Sequence, residues 1–366
     1  MRILVDNGLQ SGVGTGIDSY SRALADALAS LGNTEVSVES ITPKGDRRLA
    51  RLAYLSELDS PAYQARIADY DVVHYTNYAV PRKMPEGTVC AVTVHDLTAF
   101  SHKKTLPRAY AAYNRHIVRR AMKRADVIFT VSDTVKAEIE RRFPRAASRV
   151  VRVYPGHYES ATAKITPPVY ENSALMGLEK RRFFLFIGTL ERRKNLTQLI
   201  KAYLALRQSC GDLSMPLVLA GRAGFGFDEI EALIRTAPEG TDIRLPGYIS
   251  ENDRQKLYGE AAAFIFPSIY EGFGSPQTEC MASALPLLAS DIPTNREVSG
   301  SFATYFPVGD VDTHTNLLRD AAKGTLTASK RQAAERLSRF TWQNAATEIL
   351  AAYEAAIERK RSSKKH

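Results

Sequence analysis

Cysteine is scarce in this chain of 366 residues, and its spacing excludes two kinds of site. The three cysteines, Cys90, Cys210 and Cys280, lie far apart in the sequence. A disulfide framework or a structural zinc site requires closely spaced cysteines, so neither is expected. We predict three reduced thiols that belong to the core.

Long hydrophobic runs are also missing. No window approaches the ~18 consecutive apolar residues of a membrane-spanning helix. The first ten residues, "MRILVDNGLQ", have the pattern of a strand and not that of a secretion leader. We therefore predict a cytoplasmic protein, with peripheral contact at the inner face of the cytoplasmic membrane as a second expectation.

The net charge of +9 predicts an anionic partner. No basic and aromatic recognition motif is present, so nucleic acid is not expected. Residues 101–125 contain eight Lys or Arg and no acidic residue, with Arg115, Arg119 and Lys123 on one predicted helical face. This segment is either a docking surface for anionic lipid or a polyprenyl-diphosphate-linked acceptor, or a solvated basic helix. Apolar surface beside the basic face is expected from Tyr110, Tyr113, Ile117 and Met122.

Short apolar runs alternate with helical periods along the chain, which is the pattern of α/β folds with parallel sheets. The alternation restarts near residue 181, after a Pro-Pro linker. We predict two Rossmann-like, doubly wound domains, at 1–160 and 181–341, that face an interdomain cleft. The predicted strands span 2–6, 35–40, 71–76, 88–96, 125–132, 182–190, 216–221, 242–248, 262–268 and 285–290.

Two loops offer positions for a phosphate. In "SGVGTGIDSY", Gly14 and Gly16 can bring backbone N–H groups to an anion at a helix N-terminus, although a tight strand-to-helix turn also explains them. In "FIGTLERRKNL", Arg192, Arg193 and Lys194 precede a predicted helix. Guanidinium and ammonium groups can neutralise a diphosphate without a metal, although a solvated basic turn has the same pattern.

Two glutamates flank a glycine turn in "YEGFGSPQTE". Glu271 is predicted in the loop and Glu279 early in the following helix, with Ser275 as the N-cap. The amides of Phe273, Gly274 and Ser275 can bind anionic or hydroxyl oxygens, and the carboxylates can accept hydrogen bonds from sugar hydroxyls. A phosphate flanked by polyols fits these groups, so a nucleotide sugar is the predicted ligand.

These motifs, with "DVVHYTN", "VHDLTAF" and "LPGYISENDRQKLYGEAAAFIFPSIYEGFG", resemble the retaining GT-B glycosyltransferases of family 4. The resemblance spans nearly the whole chain. It is greatest with the mannosyltransferases that build bacterial surface polysaccharides, including the O-antigen of lipopolysaccharide. It implies a GT-B fold with an N-terminal acceptor domain at 1–160 and a C-terminal nucleotide-sugar donor domain at 181–341. In this fold a last helix at about 342–360 packs back on the N-terminal domain.

The resemblance also implies roles for single residues. Glu279 would bind the donor ribose, and Glu271 would hold the transferred sugar. Arg193 and Lys194 would bind the diphosphate, and the base would lie near Tyr248. The implied donor-binding residues are Gly14, Gly16, Arg193, Lys194, Tyr248, Ile249, Glu271, Phe273, Gly274, Ser275 and Glu279. The implied catalytic residues are Glu271, His95 and Lys194.

The expected reaction transfers a hexosyl group, with α-mannosyl favoured, from a nucleoside diphosphate to a glycan or polyprenyl-diphosphate-linked acceptor, with the anomeric configuration retained. No cofactor or metal ion is implied, and no Asp-x-Asp pattern follows a predicted strand. Alternatives are a UDP- or dTDP-sugar donor, a catalytically silent partner subunit, and an NAD-dependent oxidoreductase. The last would use the first glycine turn but would leave the second-half motifs without a role.

Overall fold

The computed structural model describes residues 1–9, 16–41, 50–157, 169–210 and 215–362. Two compact units make up the chain, and each contains one six-stranded sheet. The first unit comprises Met1–Ser101, Arg108–Gly156 and Arg339–His366, and the second comprises His102–Pro107 and His157–Ser338. Within the described ranges, no helix has both the length and the hydropathy needed to cross a membrane.

The first unit is built around a parallel sheet. Its elements up to the linker are β1 (Arg2–Leu9), α1 (Gly16–Ser30), β2 (Glu35–Ile41), α2 (Ala50–Leu58), α3 (Pro61–Ile67), β3 (Val72–Tyr75), β4 (Val89–Val94), α4 (Thr98–Ser101), α5 (Arg108–Arg124), β5 (Val127–Thr130), α6 (Asp133–Arg142) and β6 (Val150–Arg152). The strand order is β2-β1-β3-β4-β5-β6. Strands β3, β4 and β5 are buried along their whole length, as expected for a parallel sheet covered on both faces.

The second unit repeats this plan. Its elements are β7 (Phe184–Ile187), α7 (Leu196–Ser209), β8 (Leu217–Ala220), α8 (Phe227–Arg235), β9 (Ile243–Gly247), α9 (Glu251–Glu260), β10 (Ala263–Phe266), α10 (Ser275–Ala282), β11 (Leu287–Ser290), α11 (Pro293–Ser299), β12 (Thr304–Phe306), α12 (Val311–Ala322) and α13 (Lys330–Leu337). The strand order is β12-β11-β10-β7-β8-β9, and all pairings are parallel. All ten predicted strands are confirmed, whereas the three-residue strands β6 and β12 were missed.

Each sheet has one point at which its strand order reverses. In the first sheet, β1 lies between β2 and β3, and in the second, β7 lies between β8 and β10. Loops leave the carboxyl ends of the strands in opposite directions at such a point, which opens a crevice for ligands. A ligand site is therefore expected at the residues that follow β1 and β3 in the first unit, and at those that follow β7 and β10 in the second.

The last helix, α14 (Trp342–Ser362), belongs to the first unit. Its Tyr353 is fully buried, and the hydroxyl lies 2.6 Å from Nδ1 of His74. The other ring nitrogen of His74 lies 2.7 Å from the Thr93 hydroxyl. The Trp342 ring packs edge-on against Tyr20 at 5.4 Å between centroids. His74 is thus a hydrogen-bonded core histidine that joins α14 to the sheet.

Helix α5 corrects one expectation from the sequence. Ile117 and Met122 are 3% and 4% exposed, so they pack in the core and supply no apolar surface beside the basic face. Arg115 is half-buried and donates to the carbonyl of Ala99. Arg119 and Lys123 remain exposed, so the surface of this helix is basic without an adjoining patch formed by Ile117 and Met122.

A second buried histidine, His314, lies in α12. It is fully buried, stacks on Phe306 at 3.8 Å, and neither ring nitrogen has a hydrogen-bond partner among the described residues. Burial lowers the pKa of His314 from 6.5 to about 3. As the pH falls from 6.5 to about 3, His314 therefore binds a proton in the unfolded chain but not in the folded chain. The free energy of unfolding decreases as the pH drops through this window.

We expect His314→Leu to reduce the acid sensitivity of the protein. At pH 5 the protonation of His314 in the unfolded chain should lower the unfolding free energy of the wild type by about 2 kcal/mol. The variant has no histidine at this position, so its unfolding free energy should not fall by this amount. Urea unfolding at pH 7.5 and pH 5 measures the difference. His116→Leu, at an exposed position of α5, is the control and should keep the wild-type pH dependence. An unchanged pH dependence in His314→Leu would contradict this account.

Candidate active site

The loops after β7 and β10 meet where the second sheet reverses its strand order. After β7 the chain forms a short 3₁₀ helix, Arg192–Lys194, and α7 begins at Leu196. After β10 the chain passes through Glu271, and α10 begins at Ser275. The fold therefore brings together Lys194 and Glu271, which are 77 residues apart in sequence.

Glu271 is bonded to two cations. Lys194 Nζ donates to Oε1 at 2.6 Å, and Arg193 Nη1 donates to Oε2 at 2.8 Å. Glu271 and Lys194 are only 5% and 8% exposed. Because removing one partner would leave a buried charge uncompensated, this cluster fixes the two loops against each other.

The charge state of Glu271 follows from these contacts. Burial raises the pKa of its carboxyl group, but Arg193 and Lys194 act against burial and lower the pKa to about 2. At neutral pH the side chain is a carboxylate, which accepts hydrogen bonds and donates none. It can therefore receive bonds from the hydroxyl groups of a sugar.

Arg193 spans the same two loops. Its Nη1 also donates to the carbonyl of Tyr270 at 2.9 Å, while Nε and Nη2 donate to Glu191 at 3.1 and 2.7 Å. Arg192, the third cation of the loop, instead pairs with Glu229 on α8. Of the three predicted cations, the fold thus brings two to Glu271 and directs Arg192 elsewhere.

The glycine turn corrects another expectation. Ser275 was predicted as the N-cap of α10, but Gly274 occupies that position, with φ at +84°, and Ser275 is the first helical residue. This φ favours glycine, and a Cβ at Gly274 would also lie 3.0 Å from the Phe266 ring. Among the described residues no side chain caps the helix, and the Gln277 amide donates to the carbonyl of Gly274 at 3.0 Å.

A buried polar network behind this turn was not foreseen. Gln277 Nε2 donates to the Phe273 carbonyl at 3.3 Å and to Asn295 Oδ1 at 3.1 Å. The Thr294 hydroxyl donates to the carbonyl of Glu271 at 2.9 Å. The network holds the turn from the core side, so the positions of Phe273 and Glu271 depend on α11 as well as on α10.

Glu279 lies on α10 with one oxygen occupied. Its Oε1 accepts from Arg254 Nη1 at 3.0 Å, and its Oε2 is buried without a hydrogen-bond partner among the described residues. Burial raises the pKa of Glu279, while Arg254 and the nearby hydroxyl of Tyr258 act to lower it. A buried acceptor without a donor is uncommon in proteins, so a hydroxyl group from a ligand would complete it. The role of Arg254, on α9, was not predicted.

The end of β9 lies beside this edge of the sheet. Tyr248 is 67% exposed with the guanidinium of Arg222 4.9 Å from its ring centroid, and Ile249 is 9% exposed. The loops after β7 and β8 approach each other closely, so that a Cβ at Gly221 would lie 1.9 Å from the carbonyl oxygen of Gly188. This contact requires glycine at position 221.

The remaining predicted residues belong to the first unit. His95 follows β4 and is half-buried, and its Nε2 donates to the carbonyl of Thr76 at 2.9 Å. Its ring packs edge-on against Tyr20 at 4.8 Å. Burial lowers the pKa of His95, which keeps the ring neutral at pH 7. Gly16 begins α1, and Gly14 lies outside the described residues.

Comparisons with known proteins agree with this architecture. The family model described as "Glycosyl transferases group 1" matches residues 174–338, and "Glycosyltransferase Family 4" matches residues 14–157. O-antigen chain mannosyltransferase B of Escherichia coli is 29% identical over 84% of this chain and 81% of its own length. O-antigen chain mannosyltransferase RfbU of Salmonella typhimurium is 27% identical over 58% of this chain and 55% of its own length.

Solved structures show the same fold. Anabaena Alr3699/HepE, solved in complex with UDP and glucose, superposes with a TM-score of 0.71 over 97% of this chain and all of that chain, at 16% identity. The two parallel sheets with flanking helices are those of a GT-B glycosyltransferase. Because the two family models match its two halves, the chain belongs to family 4 of the glycosyltransferases. This assignment removes the oxidoreductase alternative.

The cluster of Glu271 predicts an asymmetric response to mutation. Glu271→Gln leaves Lys194 buried without its counter-charge and should lower the unfolding free energy by about 3 kcal/mol. Lys194→Met should cost less, because Arg193 still compensates Glu271. Urea unfolding of the two variants and of the double variant measures these effects, and the double variant should be more stable than the sum of the single effects predicts.

Arg296→Met is a matched control for this series. It also removes an Arg-carboxylate pair of the second unit, with Asp291, but both side chains are exposed, so stability should stay near the wild-type value. Equal losses in Glu271→Gln and Arg296→Met, or strict additivity in the double variant, would contradict the described cluster.

Proposed function

We propose that this glycosyltransferase transfers an α-mannosyl group from GDP-mannose to a hydroxyl group of a glycan or polyprenyl-diphosphate-linked glycan, with retention of the anomeric configuration. This reaction would be one step in the assembly of a surface polysaccharide such as the O-antigen. The cluster of Arg193, Lys194 and Glu271 at the reversal point of the second sheet is the observation that carries the proposal. The names of the relatives in Escherichia coli and Salmonella typhimurium support mannose as the sugar.

The contacts suggest a division of roles within the donor site. Lys194 supplies positive charge to the diphosphate, and Arg193 positions Glu271 through its bonds to both loops. Glu271 accepts hydrogen bonds from hydroxyl groups of the transferred sugar, and the amides of the turn at Gly274 assist. Glu279 accepts from the ribose through its unpartnered Oε2. The base lies near Tyr248 and Ile249. From the first unit, His95 acts as a catalytic residue, and Gly14 and Gly16 contribute to donor binding.

Metal independence is part of the proposal, because Lys194 and the helix N-termini can stabilise the leaving diphosphate. One Asp-x-Asp sequence, at Asp310 and Asp312, does follow a strand, β12, that the sequence did not predict. Asp310 is used as the N-cap of α12, where it accepts from the Thr313 amide at 2.9 Å and hydroxyl at 2.7 Å. Its carboxylate therefore has a structural role.

Retention is proposed to occur by attack on the same face from which the diphosphate leaves. A double displacement would require a carboxylate nucleophile, and Glu271 is the buried carboxylate of this loop. Its two oxygens are bonded to Lys194 and Arg193, which withdraw the charge that a nucleophile needs. In the proposed step the acceptor hydroxyl forms a bond to the anomeric carbon as the bond to the diphosphate breaks. The departing phosphate takes the hydroxyl proton.

Transfer from GDP-mannose should require Lys194 and should not require a divalent metal. Lys194→Ala should lower kcat by about 100-fold, the usual loss when a group that stabilises developing charge is removed. Arg192→Ala is the matched control, because this cation pairs with Glu229, and it should retain activity. Product formation with radiolabelled donor, in the presence and absence of excess EDTA, is the measurement.

Several results would overturn this assignment. If UDP- or dTDP-sugars gave larger thermal stabilisation and faster turnover than GDP-mannose, they would replace GDP-mannose as the proposed donor. Complete inhibition by EDTA that magnesium or manganese reverses would refute the metal-free mechanism. Donor binding without turnover of any sugar nucleotide would instead indicate the catalytically silent partner subunit.

A cytoplasmic location with peripheral contact at an anionic membrane completes the proposal. The exposed cations on α5 include Arg119, Lys123 and Arg124. Since Ile117 and Met122 are buried, the contact would rest on charge, which attracts basic side chains to anionic lipid but is screened by salt.

We expect the protein to co-sediment with phosphatidylglycerol-containing vesicles at low salt and to be released at high salt. Arg119→Glu combined with Lys123→Glu should abolish co-sedimentation and leave GDP binding unchanged. Lys330→Glu with Arg331→Glu is the control, since it makes the same change of charge at exposed positions of α13. Equal recovery on neutral vesicles, or equal losses in the two double variants, would contradict a role for α5.

A further inference from the structure

Two exposed side chains meet where β8 and β9 end. Arg222 follows β8 by two residues, and Tyr248 comes directly after β9. The guanidinium of Arg222 lies 4.9 Å from the centroid of the Tyr248 ring, and both side chains are exposed. A guanidinium is attracted to an aromatic face, so Tyr248 holds the Arg222 side chain in place. The pair belongs to the second unit, as does the cluster at Glu271.

The backbone of Arg222 is bound to the loop that carries Lys194. The Leu190 amide donates to the carbonyl of Arg222 at 2.8 Å, and the Gly224 amide donates to the carbonyl of Leu190 at 2.9 Å. Leu190 precedes Lys194 by four residues in the loop after β7. The position of Arg222 is therefore fixed relative to the cations of the candidate active site.

The N–H groups of Arg222 are available to a ligand. Within the described ranges, its guanidinium has no ion pair and no hydrogen bond to another residue. Arg192 provides a contrast, because it also lies over an aromatic ring, that of Phe225, at 4.9 Å, but it pairs with Glu229. An arginine that is held by an aromatic ring and has no carboxylate partner keeps its fork of donors for an acceptor from outside the chain.

The backbone beside this pair leaves room for a flat ligand. The Gly221 amide donates to the carbonyl of Gly247 at 2.8 Å, which joins the ends of β8 and β9. Gly247 has φ at +72°, and a Cβ added there would meet no atom within 4 Å. The space next to Gly247 is thus open, and no side chain of its own fills it. A planar ring can approach the backbone closely at such a position.

Nucleobases differ in what they offer to an arginine. Guanine presents two neighbouring acceptors, O6 and N7, which match two N–H groups of one guanidinium. Adenine has an amino group in place of O6, and this donor would face the donors of the arginine. Uracil has one acceptor, O4, on the corresponding edge. An arginine beside the base therefore favours guanine over adenine and uracil.

We propose that Arg222 selects guanine as the base of the nucleotide sugar by donating hydrogen bonds to O6 and N7. The inference rests on the proposed function and adds the residue that distinguishes a GDP-sugar from a UDP-sugar. With the diphosphate at Lys194 and the ribose at Glu279, the base extends towards the start of α9, three residues after Tyr248. Tyr248 is a positioning residue, because it acts on the base through the guanidinium.

Isothermal titration calorimetry with GDP, 7-deaza-GDP and UDP tests this role. In 7-deaza-GDP a C–H group replaces N7, so the wild type should bind it about fivefold more weakly than GDP. Arg222→Met should weaken GDP binding about tenfold, bind GDP and 7-deaza-GDP equally, and keep the wild-type affinity for UDP. Tyr248→Phe should retain the preference for GDP over 7-deaza-GDP, and Tyr248→Leu should reduce it, because leucine offers no aromatic face.

Arg296→Met is the matched control. It removes another exposed arginine of the second unit, 4.5 Å from the ring centroid of Tyr305, and should leave all three affinities unchanged. Arg222 and Tyr248 are exposed, so their variants should show the thermal unfolding of the wild type.

The outcomes separate this inference from the proposed function. Equal binding of GDP and 7-deaza-GDP by the wild type would overturn the role of Arg222 without affecting GDP-mannose as the proposed donor. Equal losses of GDP and UDP affinity in Arg222→Met would also overturn it, because they would indicate a contact with the diphosphate. A preference for GDP that depends on Arg222, without transfer of mannose from GDP-mannose, would refute the proposed function and support Arg222 as the guanine-selecting residue.

Discussion

The buried carboxylate of Glu271, bonded to both Lys194 and Arg193, is the interaction on which the proposed active site depends. It joins the loop after β7 to the loop after β10, which diverge at the point where the strand order reverses. Each loop leads into a helix, so the ion cluster also sets where the N-termini of α7 and α10 lie. Because Glu271 and Lys194 are buried and Arg193 is half-buried, the charges stabilise one arrangement of the loops and strongly disfavour others.

The cluster is balanced in charge before a ligand binds. Arg193 and Lys194 contribute two positive charges, and Glu191 and Glu271 contribute two negative ones. Under the proposed function, the diphosphate is then stabilised by Lys194 together with the positive ends of α7 and α10, while Glu271 stays available to sugar hydroxyls. The same carboxylate organises the cations. Under the proposed function it also distinguishes a sugar diphosphate from a free polyphosphate, which has no sugar hydroxyl to donate.

Sequence patterns predicted the parts of this protein that depend on neighbouring residues. Apolar runs between turns predicted the longer strands, and the glycine turn predicted that Glu271 lies in a loop and Glu279 on the helix that follows it, as the structure has them. Contacts between distant segments were not predictable, because the bond from Arg254 to Glu279 depends on how α9 packs beside α10. Local steric detail was also missed: a positive φ at Gly274 displaced the expected cap at Ser275.

A crystal structure of the protein with bound GDP-mannose, or with GDP and mannose, would test the central claim most directly. The account predicts a diphosphate oxygen within hydrogen-bond distance of Lys194 Nζ, about 3 Å, with mannose hydroxyl groups donating to Glu271 and a ribose hydroxyl donating to Glu279 Oε2. A diphosphate bound away from the loops that follow β7 and β10, with the bonds of Glu271 unchanged and no sugar near it, would contradict the account.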